Sequence, residues 1–271
     1  MERMAVIIVA GGGGQRMGGG IPKQFRLLGG VPVLARTIAN FAAALPGAQL
    51  VVALPAEHIA FWRNLAARFD VAGHTIVTGG SARFHSVRNA LAAIDPAAEL
   101  IAVQDGVRPL GSAELIRRVA AAAAEHGAAI PVVEVVDSLR EIDGTTSRAV
   151  DRSRLRAVQT PQVFRAEVLR RAYEAAYCTE FTDDASVVER SGTTVFLCEG
   201  ERQNLKITTP EDLLVAEALL AARENGGEDD GTEHRSAAAQ AAAEAAGADA
   251  TADAAGSAED SDTPSGAGSW R

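Results

Sequence analysis

Met4-Ala5-Val6-Ile7-Ile8-Val9-Ala10-Gly11-Gly12-Gly13-Gly14-Gln15-Arg16-Met17-Gly18 is an apolar, β-branched run that breaks abruptly into glycine. The run through Ala10 has no polar alternation, which predicts a strand covered on both faces, as in a parallel sheet. In open sheets of that kind ligands bind beyond the carboxyl ends of the strands. Glycines at that place let backbone N–H groups approach phosphate oxygens. Arg16, and Lys23 in Pro22-Lys23-Gln24-Phe25, add positive charge, the arginine as a fork and the lysine as a point charge. No register of the glycines gives G-x-G-x-x-G, because the required positions fall on Gln15, Arg16 or Met17, and no G-K-[ST] follows. Dinucleotide fingerprints and P-loops are therefore excluded. A glycine-rich surface turn with two solvated cations is the competing reading. The loop's place directly after the first strand favours a phosphate site.

Outward from that loop, short apolar runs alternate with helical periodicity. Val33–Leu45 predicts a helix, Leu50–Leu54 a strand, and the stretch through Phe61, Leu65 and Phe69 a helix. His74–Val77 is a strand, and Ser86–Ile94 a helix with Val87, Ala90, Leu91 and Ile94 on one face. A strand at Leu100–Gln104, a helix at Glu114–His126 and a strand at Ala129–Val133 continue the alternation. This rhythm implies an α/β fold: a Rossmann-like, mostly parallel sheet with helices on both faces. After Val133 it breaks. Val135–Arg140 and Ala149–Val158, with a turn at Asp143-Gly144, predict a protruding β-arm over residues 134–158. Helices resume at Ala166–Tyr177 and Ala185–Arg190, and Thr194–Cys198 is a further strand. Thr209-Pro210-Glu211-Asp212 starts a last helix, with a hydroxyl cap, a first-turn proline and acids at the positive end. Leu213, Ala216 and Leu220 share its inner face.

One domain is expected over residues 1–223. From Glu224 the composition turns to Ala, Gly, Ser, Asp and Glu, with large apolar residues almost absent until Trp270. Such a segment buries too little surface to offset its ordering entropy, so residues 224–271 are expected to be a disordered, acidic, Ala-rich tail. Eleven acids and two arginines lie there, which accounts for the whole formal charge of -9. The domain itself is neutral and carries no Lys/Arg run, which argues against nucleic acid as a partner. Cys178 and Cys198 show no pairing pattern and read as thiols in a reducing compartment. No apolar run approaches the ~20 residues of a membrane span, and the first strand is too short for a signal core. No membrane partner and a cytoplasmic location are expected. His58, His74, His85, His126 and His234 are scattered without metal-ligand spacing.

Six further motifs follow the glycine loop in order. They are Gly79-Gly80-Ser81-Ala82-Arg83-Phe84-His85-Ser86-Val87, Gln104-Asp105-Gly106-Val107-Arg108-Pro109, Val150-Asp151-Arg152, Gln159-Thr160-Pro161-Gln162, Phe181-Thr182-Asp183-Asp184-Ala185-Ser186 and Asn204-Leu205-Lys206-Ile207-Thr208. With G-G-x-G-x-R-M and P-K-Q, the chain from Met4 to Leu220 resembles the 2-C-methyl-D-erythritol 4-phosphate cytidylyltransferases of non-mevalonate isoprenoid synthesis. The resemblance implies the nucleotidyltransferase fold and transfer of CMP from CTP to methylerythritol phosphate. It implies that Arg16 and Lys23 stabilise the triphosphate charge, and that Arg152 and Lys206 position the alcohol phosphate. Ala10, Gly11, Gly12, Gly14, Gly80, Ser81, Ser86 and Asp105 would bind the nucleotide. Asp105, Arg108, Ser138 and Thr182 would meet the substrate, with Thr182 and Arg152 offered across a homodimer joined by the arm. A ribitol 5-phosphate cytidylyltransferase, a relative of the same fold, is the competing enzyme. A non-catalytic nucleotide-binding module is the competing class.

The chemistry agrees with the residues available. A phosphate monoester has a second pKa near ~6 and is already a dianion at neutral pH, so no general base is required. Two anions must meet, so positioning and cationic stabilisation carry the reaction, with Mg²⁺ bridging phosphate oxygens. No dedicated metal cage is expected, and Asp105 is the nearest candidate protein ligand. Arg83 and Arg88 read equally as phosphate contacts or as supporting ion pairs. Thr182-Asp183 reads equally as a helix cap.

Overall fold

The computed structural model describes residues 2–12 and 20–226. Gly14, Arg16 and the expected tail from residue 227 onward lie outside the described residues. One compact unit ends at Gly226.

The first strand, β1 (Met4–Val9), lies at the centre of the sheet, and Ala5, Val6, Ile7 and Ile8 have no exposed surface. A short antiparallel pair follows, β2 (Leu27–Leu28) and β3 (Val31–Pro32), leading into α1 (Val33–Ala44). Then come β4 (Gln49–Leu54), α2 (Ala56–Arg68), β5 (Thr75–Thr78), α3 (Arg83–Leu91) and β6 (Leu100–Asp105). α4 (Ala113–His126) leads into β7 (Ala128–Glu134), and β8 (Leu139–Asp143) with β9 (Thr146–Val150) forms a separate hairpin. β10 (Arg156–Val158), β11 (Gln162–Arg165), α5 (Ala166–Ala172), α6 (Asp184–Arg190), β12 (Phe196–Glu199) and α7 (Pro210–Gly226) complete the chain order.

β1 pairs in parallel with β4 on one side and β6 on the other, and β4 pairs in parallel with β5. β11 inserts antiparallel between β6 and β7. Two strands that both oppose β11 run parallel to each other, so β7 ends on the same edge of the sheet as β6. β12 pairs in parallel with the other side of β7, while β10 continues along the β11 side. The sheet is thus mostly parallel with one antiparallel insertion.

The two-residue period of β1 divides the core. Val6 and Ile8 join Leu34, Ile38 and Phe41 of α1, Trp62 of α2 and Leu115 and Val119 of α4 on one face. Ala5 and Ile7 join Phe84, Val87 and Leu91 of α3, Leu169 of α5 and Val188 of α6 on the other. A smaller cluster seats α7 through Ala216 against Leu28, Val107, Leu110 and Ile207.

Several boundaries differ from the expectations. α3 starts at Arg83, three residues before the periodic stretch. α5 stops at Ala172, well short of Tyr177. α7 runs past residue 223 to Gly226. β11 was not anticipated: four residues flanked by Gln162 and Arg165 carry too little apolar pattern, and β6 and β7 supply the pairing that makes them a strand. The arm stands where the turn at Asp143-Gly144 puts it, with Gly144 at φ 57°. Its hairpin is largely exposed, including Ile142 at 70%.

Candidate active site

The carboxyl ends of β1 and β6 and the loop after β5 converge on a cavity of about 300 Å³. Ala10, Gly11 and Gly12 extend β1 along its wall, and the Ala10 N–H bonds to the Ala53 carbonyl at 3.0 Å. Lys23 reaches the same cavity from a 3-10 turn over Lys23–Phe25. That turn is pinned twice. Gln24 Nε2 donates to the Ala10 carbonyl at 3.0 Å, and the buried Phe25 ring packs against His58, Phe61 and Trp62. Beyond β5, Gly80, Ser81 and Ser86 line the opposite wall. Ser86 Oγ accepts from the Gly80 N–H at 3.0 Å and donates to the Ala82 carbonyl at 3.1 Å, which ties the loop to the first turn of α3. Gly80 has to be glycine here, because a Cβ would lie 2.3 Å from His85 Cβ and 3.1 Å from its backbone.

A second cavity of about 190 Å³ adjoins the first, sharing Arg83, Asp105 and Lys206. Arg108, Val158, Gln159, Thr160, Gln162, Thr182 and Asp183 complete its wall. Lys206 lies on an irregular segment, not a strand. Asn204 Nδ2 donates to the Thr160 carbonyl, the Asn204 carbonyl accepts from Arg108 Nη1, and the Ile207 N–H bonds to the Val107 carbonyl.

Asp105 is the electrostatic centre. Arg83 Nη1 is 2.6 Å from Oδ1, while Lys206 Nζ and Arg108 Nε are 3.0 and 3.1 Å from Oδ2. Burial opposes ionisation of this carboxyl, but Arg83, Lys206 and Arg108 outweigh it and hold its pKa well below the usual carboxylate range. Burial lowers the Arg108 pKa against the pull of Asp105. Burial also opposes charge on Arg83, yet Asp184 and Asp105 together raise its pKa. Three cationic side chains are thus gathered on one carboxylate.

This geometry tests the fit of a metal. Both Asp105 oxygens face cations, and among the described residues no three His, Cys, Asp or Glu side chains gather into a metal cluster. The donor set does not suit a protein-held Mg²⁺ cage.

Of the residues singled out from sequence, Ala10, Gly11, Gly12, Lys23, Gly80, Ser81, Ser86, Asp105 and Lys206 meet in the first cavity. Asp105, Arg108, Thr182 and Lys206 meet in the second. Thr182 thus lines a cavity of its own chain. Ser138 and Arg152 line neither cavity; both are exposed on the arm, where Arg152 Nη1 donates to the Val136 carbonyl. Arg83 is an ion-pair hub, and Arg88 lies over the Phe84 ring at 5.7 Å. Asp183 caps α6 through a capping box with Ser186, so the acid two positions before Ala185 serves the helix. Asp184 stood in the Phe181–Ser186 motif but was given no role of its own, and Tyr173 was missed; the Tyr173 hydroxyl bonds to Asp184 at 2.6 Å, and Asp184 pairs with Arg83. Nothing local marks the pairing of Asp184 with Arg83, because it spans about a hundred residues of chain.

The model of the 2-C-methyl-D-erythritol 4-phosphate cytidylyltransferase family matches residues 4–222. The protein of that name from Bacteroides thetaiotaomicron is 48% identical over 220 residues, covering 80% of this chain and 100% of its own. The crystal structure of the Thermus thermophilus protein of that name superposes with a TM-score of 0.66 at 36% identity, over 82% of this chain and 100% of that one. The 4-diphosphocytidyl-2C-methyl-D-erythritol synthase of Anaerococcus prevotii gives a TM-score of 0.69 at 27% identity, over 81% and 99%. With its glycine loops, its Asp105 cluster and a family match over nearly the whole folded unit, the chain belongs to the 2-C-methyl-D-erythritol 4-phosphate cytidylyltransferase family.

Proposed function

We infer that the paired cavities are where this nucleotidyltransferase moves CMP from CTP to 2-C-methyl-D-erythritol 4-phosphate, releasing pyrophosphate and forming 4-diphosphocytidyl-2-C-methyl-D-erythritol. The observation that carries this reading is the shared wall: Asp105 and Lys206 border both the glycine-lined cavity and the one holding Arg108 and Thr182. A nucleotide in the first and an alcohol phosphate in the second would meet there.

The residues divide by where they stand. Ala10, Gly11, Gly12, Gly80, Ser81 and Ser86 bed the nucleotide, largely through backbone groups. Lys23 faces the triphosphate and, with Arg16, balances the charge that shifts toward the leaving pyrophosphate. Lys206, Arg108 and Thr182 hold the attacking phosphate, a dianion that needs no base. Asp105 keeps Lys206 and Arg108 in register. Mg²⁺ would enter with the nucleotide and would offset triphosphate charge, alongside Lys23 of this chain. Ser138 and Arg152, exposed on an arm that leaves the same edge of the sheet, complete the substrate site of a second copy in a homodimer. No described helix is long and apolar enough to cross a membrane, and the enzyme works in the cytoplasm on soluble phosphates.

The test is pyrophosphate release from CTP and Mg²⁺ with a panel of alcohol phosphates. Turnover with methylerythritol phosphate is expected. Turnover with ribitol 5-phosphate alone would overturn the substrate, and saturable CTP binding with no turnover would overturn the enzyme.

A further inference from the structure

We propose that Arg83 is a positioning residue: anchored from behind by Asp184 and Tyr173, it orients the Asp105 carboxylate and so sets where the Lys206 ammonium meets the reacting phosphates. This rests on the reading above that the cavities hold the two phosphorylated reactants.

The chain of contacts is continuous. The Tyr173 hydroxyl donates to Asp184 Oδ1 at 2.6 Å, and Asp184 Oδ2 accepts from Arg83 Nη2 at 2.7 Å and from its Nε at 3.2 Å. Two N–H groups converging on that one oxygen fix the guanidinium plane and leave Nη1 aimed at Asp105 Oδ1, 2.6 Å away. Asp105 Oδ2 is thereby left to Lys206 and Arg108. Three cations share two oxygens, and the anchored one decides the division. A lysine at position 83 could not do this, since an ammonium has no fork to span two carboxylates.

Stability alone is a poor account of the arrangement. Asp184 has no exposed surface, and burying ions costs more than packing apolar groups of similar volume. The cost falls beside the one carboxylate that faces both cavities. Gln162 braces the same element, donating from Nε2 to Asp183 Oδ2 and accepting the Ala185 N–H, so α6 is held rigidly behind Arg83. Tyr173 adds no charge of its own: burial and the neighbouring Asp184 push its phenol far above the ordinary range.

The experiment compares wild type with Asp184→Asn, Arg83→Lys, Arg83→Gln and Tyr173→Phe in steady-state pyrophosphate release. Asp184→Asn and both Arg83 variants should lose roughly ten- to hundredfold in kcat while the KM for CTP stays near wild type. Arg83→Gln removes a cation from Asp105 and frees the Lys206 ammonium to shift, so the KM for the alcohol phosphate should change while the KM for CTP does not. A merely structural role would lower Tm without that split. Wild-type kcat in Asp184→Asn, or full rescue by Arg83→Lys, overturns the proposal. Should Asp184→Asn fail to fold, Tyr173→Phe keeps every charge and should lose kcat several-fold; an unchanged kcat there overturns it equally. An inactive wild type refutes the assigned reaction and the positioning role with it. An active wild type with indifferent variants refutes only the positioning role.

Discussion

Lys23 illustrates how a single side chain acquires a role. In sequence it is a lysine after a proline, and an exposed cation is the bland expectation. In the fold, Phe25 anchors the turn that carries it, Gln24 ties that turn to the Ala10 carbonyl, and its chain enters the glycine-lined cavity. A point charge aimed at phosphates that gain charge during transfer acts mainly in the transition state. Lys23→Ala should therefore lower kcat about a hundredfold while CTP binding weakens far less. Equal losses in kcat and in CTP affinity, read by steady-state kinetics and equilibrium binding, would contradict the role. Asp105 shows the other limit of reading residues singly. Its presence was legible in Gln104-Asp105-Gly106-Val107-Arg108, but its engagement by three cations was not, because Arg83 and Lys206 come from distant motifs.

At the level of elements, the helix ends were written most plainly. Thr209-Pro210-Glu211-Asp212 predicted the start of α7, and Asp212 Oδ2 accepts the Thr208 and Thr209 N–H groups while its own N–H reaches Thr209 Oγ1 at 3.4 Å. The cap matters for chemistry because it fastens the segment running back to Lys206. Asp212→Ala should cost about 1 kcal/mol, or roughly 2–4 °C in Tm, and should lower kcat more than that loss alone explains. The sign with pH follows from hydrogen bonding: the folded Asp212 pKa is lowered despite partial burial, so its contribution is present above about 3.9 and is lost as pH falls through the folded value. Thermal melts of both proteins between pH 7 and strong acid check it, since the two curves should converge only on the acid side. β11 is the opposite case. Its four residues have no periodicity of their own, and only the open edges of β6 and β7 select the strand.

For the whole molecule, the position of Arg152 is the telling fact. It sits on the arm, away from both cavities of its own chain, while Lys23 lines one of them. In a two-fold dimer each site would take Lys23 from one chain and Arg152 from the other. Co-expressed Lys23→Ala and Arg152→Ala chains should then give hybrid dimers with one intact site and about half the wild-type activity. Hybrids as inactive as either parent would mean that both residues serve the same chain's site. The sequence by itself determined the alternation of strands and helices, the glycine loop after the first strand, the arm and the last helix cap, because each rests on periodicity or on local backbone preference. Only the tertiary structure decided that β11 reverses within the sheet, that Thr182 faces its own chain's cavity, and that Arg83 bridges Asp105 to Asp184. Those outcomes depend on which distant groups the packed core brings within a few ångströms, and no local pattern encodes such distances.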